Sequence, residues 1–432
     1  MTDYQNCLQT LYGLRRFGIK LGLDTIRGML EGLGNPQSRF QSVHLAGSNG
    51  KGSIASGLAA IMARAGYRVG LYTSPHLVRF NERFCINGRP VSDEMLLAAY
   101  EAVREVPSGE RSPTFFEFAT AMAFHIFAAE GVDWGIIETG MGGRMDATNV
   151  LSPHLSIITN VSLEHQAYLG DSLAAIAGEK GGIIKPRTPV VSGVRAEEPA
   201  AVLDEIATRH DAPLYRLGTD FVAEPGTDGT FVYNGIDGPC ENMRTGLSGS
   251  FQVENAALTL AACELLARER VPLPPETVRA GLAGNRWPGR LERVGENPTL
   301  LLDGAHNLAA AHHLAAYLRE NFGNRSITMV VGILDDKPHR DMLAALLPVC
   351  HRAILTRART ERALPVETLL AAATGRGADL STVPDVATAL ATAREKASPA
   401  DLICVAGSLY VVGEAKEALE KEGIPAFALA GE

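Results

Sequence analysis

No Cys-x-x-Cys pair, no long apolar run and no excess of basic residues occur in this sequence of 432 amino acids. Each absence closes off a class of function. The six cysteines, Cys7, Cys85, Cys240, Cys263, Cys350 and Cys404, are scattered. That argues against a disulfide framework or a structural zinc site and fits buried thiols in a reducing compartment. Without a run of about 18 apolar residues, no membrane span is expected. The first residues lack a basic segment followed by an apolar stretch, so no secretory signal is expected and the cytoplasm is the expected location. Lys and Arg number 40 against 49 Asp and Glu, a net charge of −9. A nucleic-acid partner is therefore not expected, because phosphate-backbone binders gather Lys and Arg on one face. A small, local anion site stays open.

What is present is ordinary in proportion: 46% apolar and 21% charged residues, as in globular proteins. The length exceeds what one core supports, so two or three domains are expected. Residues 1–40 read as helices and a loop. Leu11, Leu14, Phe17 and Ile19 mark one apolar face, Leu23, Ile26, Leu30 and Leu33 another, and Gly34-Asn35-Pro36 ends the second helix. Residues 42–46 read as a strand, followed by a glycine loop, a helix over about 53–65 and a strand over 68–72. This is the βαβ unit of a parallel sheet. The pattern continues with a helix over 117–130, strands over 134–137 and 155–159, a helix capped by Asp171 or Ser172 and reaching Lys180, and a strand over 189–191. From 213 to 250, glycines and short alternating segments predict a small antiparallel section. A helix resumes over 254–268, and Arg286-Trp287-Pro288-Gly289-Arg290 reads as a linker. A second α/β series then supplies strands over 300–302, 327–331, 353–355 and 402–405, with the domain boundary placed at 297.

The glycine loop Gly47-Ser48-Asn49-Gly50-Lys51-Gly52-Ser53 carries the strongest signal. Glycines let backbone N–H groups turn toward phosphate oxygens, and the helix N-terminus adds partial positive charge. Lys51 can reach a terminal phosphate and Ser53 can assist a metal. The spacing departs from G-x-x-x-x-G-K-[ST], because Gly52 separates the lysine from the serine, so this is a variant P-loop. The bland reading is a turn that caps a helix. Glu138 ends a buried strand at the ligand edge of a parallel sheet and can hold Mg²⁺; taken alone, such an acid is more often a cap. His165 follows another strand, where a lone loop histidine is usually just solvated. Lys180, on a helix, would by itself be a surface lysine. Asp303-Gly304-Ala305-His306-Asn307 closes a strand of the second series, and a helix-capping turn explains it equally well in isolation.

Together these blocks resemble the folylpolyglutamate synthase/dihydrofolate synthase family of the Mur-ligase superfamily. The matching stretches are 44–53, Tyr72-Thr73-Ser74-Pro75-His76-Leu77, Asn81-Glu82-Arg83, 138–149, the surroundings of His165, Glu179-Lys180, 286–290 and 303–307; Gly18-Ile19-Lys20-Leu21-Gly22-Leu23 looks like the bacterial members. The resemblance spans about residues 8–413. It implies an α/β chain: an ATPase domain with a mostly parallel sheet and a small antiparallel section over 1–296, then a smaller Rossmann-like domain over 297–432. It implies an ATP- and Mg²⁺-dependent ligase joining L-glutamate to dihydropteroate or reduced folates through an acyl phosphate, acting as a monomer. Asn49, Gly50, Lys51, Gly52, Ser53, Asn255, Arg290, Asp303 and His306 match nucleotide-contacting positions. Ser53, Ser74, Glu138 and His165 match metal ligands, and Lys51, Glu138, His165 and Lys180 the catalytic set. Lys180 matches a lysine that carries a carbamate, and the resemblance further implies a monovalent cation. The regions 80–83 and 115–117 match the pterin pocket. The sequence departs from the pattern at Ser48, where threonine is usual, at Glu164, where aspartate is common, and at Phe251, where histidine or tyrosine is common. A cell-wall Mur ligase would be expected to place a UDP-binding domain ahead of the loop, where only about 40 residues stand. A P-loop kinase or switch would not need the 303–307 block, and a pure nucleotide binder would not need Lys51, Glu138, His165 and Lys180 together.

Overall fold

Short, mostly apolar and almost wholly buried segments form the central strands, as expected where a sheet is covered on both faces. The computed structural model describes residues 3–14, 18, 20, 22–107, 111–226 and 228–424. The first sheet contains β1 (Gln41–Ala46), β2 (Val69–Tyr72), β3 (Phe84–Ile86), β4 (Arg89–Pro90), β5 (Trp134–Glu138), β6 (Leu155–Ile158), β7 (Val190–Ser192) and β8 (Leu214–Arg216). Their order is β4-β3-β2-β5-β1-β6-β7-β8. All pairings are parallel except those of β3 and β4, which form a hairpin at one edge. Side chains alternate across a strand. In β5, Ile136 therefore packs with the helices Lys51–Arg64 and Phe251–Arg268, while Ile137 packs with Asp24–Gly32, Asp93–Arg104 and Phe115–Ala129 on the other face.

Local chemistry sets the helix starts. Thr114 accepts the Glu117 N–H at 3.2 Å and the Glu117 carboxylate accepts the Thr114 N–H at 2.8 Å, a capping box that opens Phe115–Ala129. Ser172, rather than Asp171, caps the helix Leu173–Gly181 by accepting the Ala175 N–H. The first helix is Asp3–Gly13 and buries Leu11; Phe17 and Ile19, expected on its face, lie outside the described residues.

Two sequence expectations shift. The segment 213–250 is not wholly antiparallel: β8 pairs parallel with β7, and only β9 (Val222–Pro225), β10 (Phe231–Asn234) and β11 (Pro239–Met243) form the small antiparallel sheet. Residue 297 does not separate the two sheets. It lies in the turn between β12 (Glu292–Glu296) and β13 (Thr299–Leu302), which pair antiparallel. These two join β14 (Ile327–Val331), β15 (Arg352–Leu355), β16 (Asp379–Thr382) and β17 (Leu402–Ala406) in the order β12-β13-β17-β14-β15-β16, parallel beyond β12. Among the described residues, no helix is long and apolar enough to cross a membrane.

The loops leaving the carboxyl ends of the neighbouring strands β5, β1 and β6 meet at one edge of the first sheet, the usual ligand side of an open parallel sheet. Ile136 is fully buried in the strand beside β1. Ile136→Ala is expected to lower stability by about 2–5 kcal/mol, read as an earlier urea midpoint.

Candidate active site

The glycine loop joins β1 to the helix Lys51–Arg64 and is stitched to the loop after β6. The Ser48 N–H donates to the Asn160 carbonyl at 3.1 Å, and the Asn49 N–H donates to Asn160 Oδ1 at 2.9 Å. The Asn49 carbonyl accepts from Thr159 Oγ1 at 2.5 Å and from Asn160 Nδ2 at 3.0 Å. All three glycines of the loop are required sterically: a Cβ on Gly47, at φ +150°, would lie 1.8 Å from Thr159 Oγ1. Gly50 has φ +86° and a Cβ there would lie 2.5 Å from Asn255 Oδ1; a Cβ on Gly52 would lie 2.7 Å from the Trp287 ring nitrogen. The Lys51 ammonium folds back onto the Gly47 carbonyl at 2.7 Å and stands 3.8 Å from Glu138 Oε1. Ser53 Oγ accepts from Gln252 Nε2 at 3.3 Å, and Gln252 Oε1 accepts from Asn255 Nδ2 at 2.8 Å, so the helix Phe251–Arg268 backs the loop.

Glu138 ends β5 buried, and its Oε2 accepts the Ser74 N–H at 3.1 Å. Burial raises its pKa; Lys51, that N–H, Arg290 and Arg83 oppose the rise. His165, at φ +46°, sits ahead of the short helix Gln166–Leu169. Desolvation, with Lys337 next, lowers its pKa, which leaves a neutral imidazole with a lone pair to offer near neutral pH. Lys180 is not a surface lysine. Its side chain is 1% exposed, and its ammonium donates to Glu164 Oε1 at 2.6 Å. Desolvation brings Lys180 down to about 8 against the pull of Glu164. Burial also works against the Glu164 carboxylate, but Lys180 and then Lys51 outweigh it and hold Glu164 at about 2.

The second sheet supplies the facing wall. Asp303 follows β13 and accepts the Leu291 N–H on Oδ2 and the Ala305 N–H on Oδ1, both at 2.9 Å. His306 Nδ1 lies 2.8 Å from the Gly304 carbonyl, and desolvation brings its pKa down to about 4, so the ring is neutral at pH 7. Arg290 is anchored through its own segment. The Gly289 N–H donates to Glu292 Oε2 at 2.7 Å, the Gly289 carbonyl accepts the Gly304 N–H at 2.7 Å, and the buried Lys416 ammonium holds Glu292 at 2.6 Å.

The nucleotide, metal and catalytic residues expected from the sequence all line this one cleft: Asn49, Gly50, Lys51, Gly52, Ser53, Ser74, Glu138, His165, Lys180, Asn255, Arg290, Asp303 and His306. Glu164, Asn160 and Gln252 line it too, although nothing in the motif pattern singled them out as site residues. The pterin-pocket stretches behave differently. The Arg83 guanidinium lies over the Phe80 and Phe115 rings at 5.6 and 5.3 Å, whereas the Glu117 carboxylate is engaged by its cap and by Arg111 at 2.6 and 2.9 Å.

Among the described residues, no three His, Cys, Asp or Glu side chains gather as a metal cage. Ser53, Ser74, Glu138 and His165 bring two hydroxyls, one carboxylate and one imidazole to the same cleft. That sparse set fits Mg²⁺, which keeps waters and takes phosphate oxygens rather than filling a protein cage. Glu138, a buried carboxylate with its nearest ammonium 3.8 Å away, is the group such an ion would relieve.

Two sheets facing each other across this cleft are the architecture of a Mur-type ligase. Residues 45–263 match the family described as Mur ligase middle domain, and residues 289–409 match Mur ligase, glutamate ligase domain. The sequence is 36% identical over 433 residues to the dihydrofolate synthase/folylpolyglutamate synthase of Bacillus subtilis (strain 168), covering 97% of this chain and 100% of that protein. The chain belongs to the dihydrofolate synthase/folylpolyglutamate synthase family. It is similar to E. coli FolC in complex with DHPP and ADP, with TM-score 0.89, 29% identity, and coverage of 96% of this chain and 98% of that one. It is also similar to the bifunctional folylpolyglutamate synthase/dihydrofolate synthase of Yersinia pestis complexed with AMPPNP and a Mn ion, with TM-score 0.88, 29% identity, and coverage of 97% and 98%.

The Glu164–Lys180 pair sets a pH dependence. A carboxylate held at about 2, below its ordinary 4.5, stabilises the fold above pH 4.5 and loses that contribution as pH falls toward 2. Glu164→Gln is expected to lower stability at pH 7 by about 3–5 kcal/mol and to flatten the acid limb, measured as urea midpoints against pH. In Gly50→Ala, the positive φ and the Asn255 contact are both violated, and nucleotide binding measured by calorimetry is expected to be lost.

Proposed function

We propose that this chain uses ATP and a divalent metal to join L-glutamate to dihydropteroate, and to reduced folates and their polyglutamates. The observation that carries this reading is the convergence of the glycine loop, Glu138, His165 and Lys180 from one sheet with Arg290, Asp303 and His306 from the other in a single cleft. A phosphate binder or switch needs only the first half of that set. The bound DHPP, ADP and AMPPNP of the two similar structures support the same substrates here.

The chemistry follows from charge. A carboxylate is a poor electrophile, because attack by an amine would have to expel oxide. Transfer of the γ-phosphoryl group to a carboxylate oxygen, with ADP leaving, makes a mixed anhydride. The glutamate α-amine then attacks the acyl carbon, inorganic phosphate departs, and the amine loses a proton as the amide forms. Asn49, Gly50, Lys51, Gly52 and Ser53 hold the phosphates, with Lys51 exchanging the Gly47 carbonyl for a phosphate oxygen. Ser53, Ser74, Glu138 and His165 would hold Mg²⁺, which supplies charge neutralisation between the two anionic reactants. Asn255 and Arg290 contact the nucleotide, and Asp303 and His306 complete the site from the second domain. The boundary between the domains falls at the 286–290 linker. Lys180 paired to Glu164 is the free-ammonium arrangement; addition of CO₂ to its neutral amine would replace that attraction with two anions able to share a cation. The cleft is built within one chain, which supports action as a monomer, and the scattered thiols fit a cytoplasmic setting.

Purified protein with ATP, Mg²⁺ and L-glutamate is expected to release phosphate only when dihydropteroate or a tetrahydrofolate is added. Equal turnover without either pterin would sink the proposal. Lys51→Ala is expected to abolish turnover while the circular dichroism spectrum stays that of the parent; retained activity would remove Lys51 from the phosphate site.

A further inference from the structure

Asn307 serves two partners at once. Its Oδ1 accepts the Ala310 N–H at 2.9 Å and caps the helix Leu308–Phe322, while its Nδ2 donates to Asn49 Oδ1 at 2.8 Å across a sequence separation of 258 residues. Each residue is held from behind. Asn49 belongs to the glycine loop, and its backbone N–H and carbonyl are both taken by the Thr159–Asn160 pair. Asn307 is buried and directly follows His306, in the segment whose turn Asp303 fixes through the Leu291 and Ala305 N–H groups. A bond between two groups with so little freedom registers the 303–307 segment against the loop, not merely one domain near the other.

We propose that the Asn49–Asn307 bond is a latch between the two domains, and that Asn307 is a positioning residue which seats Asp303 and His306 at the phosphate end of the cleft. The inference rests on the ligase reading of that cleft. Both latch groups are neutral amides, so the bond neither adds to nor cancels the charge beside the phosphates. A single neutral hydrogen bond is also weak enough to open and close in each cycle, as substrate admission and product release require.

The test uses the 432-residue chain. Asn307→Ser keeps a good helix cap but is too short to reach Asn49. Asn49→Ser keeps the backbone bonds to Thr159 and Asn160. Asn307→Ser is expected to melt with the parent and to lose about two- to tenfold in kcat, with little change in the KM for ATP. The double variant is expected to be no worse than the poorer single one, because both remove the same bond. With AMPPNP and Mg²⁺, small-angle scattering is expected to show a larger radius of gyration for each variant than for the parent. Additive losses in the double variant, or an Asn307→Ser protein with parental kcat and scattering, would overturn the latch. A parent inactive on both pterin substrates would overturn the ligase reading instead, and the scattering comparison would still decide the latch.

Discussion

The phosphate loop stands where it does because its backbone is bonded to the end of a neighbouring strand. Asn49 gives its N–H to Asn160 and receives Thr159 and Asn160 on its carbonyl. Strand β6 thereby sets the loop that follows β1, and the rest of the cleft depends on that coupling. Lys51 leaves the loop toward Glu138 on β5, His165 sits five residues beyond Asn160, and the facing domain meets the loop at Asn49 itself. Three adjacent parallel strands and one side-chain amide thus fix the relative positions of groups that are far apart in sequence.

Charge in the cleft is arranged so that ammonium and guanidinium groups stand near carboxylates without saturating them. Glu138 lies beyond hydrogen-bond reach of Lys51, and among the described residues its one backbone donor is Ser74. Asp303 spends both oxygens on backbone N–H groups, which orients it and leaves Arg290 free of a bidentate carboxylate. The Glu164–Lys180 pair is the exception, fully engaged at 2.6 Å. A site prepared for triphosphate and metal keeps some attraction in reserve in this way, since electrostatic stabilisation is strongest where polar groups are already held in place.

Much of this was legible before the structure. Short, mostly apolar segments announced β5, β6 and β14, and the glycine loop between a strand and a helix located β1 and the ligand edge. The blocks around Glu138, His165 and Asp303 then pointed to one site by resemblance. What stayed hidden shares one cause: it depends on partners distant in the chain. β8 reads as an isolated fragment until β7 lies beside it, and β12 is too exposed and glycine-broken to announce its pairing with β13. Asn160 and Asn307 look like turn and cap residues, and Asn307 is indeed a cap; their bonds to Asn49 span 111 and 258 positions. The Glu164–Lys180 pair was obscured because neither residue type, on a loop or a helix, signals burial.

The packing of Trp287 on Gly52 has an optical consequence. The chain contains two tryptophans. Trp134 is sealed in β5 at 2% exposure, edge-on to the His154 ring at 5.3 Å and away from the cleft lining. The half-buried Trp287 indole rests against the backbone of the phosphate loop, in the linker between the domains. Of the two indoles, Trp287 is therefore the one that the fold places at the seam where the phosphate loop and the second domain meet.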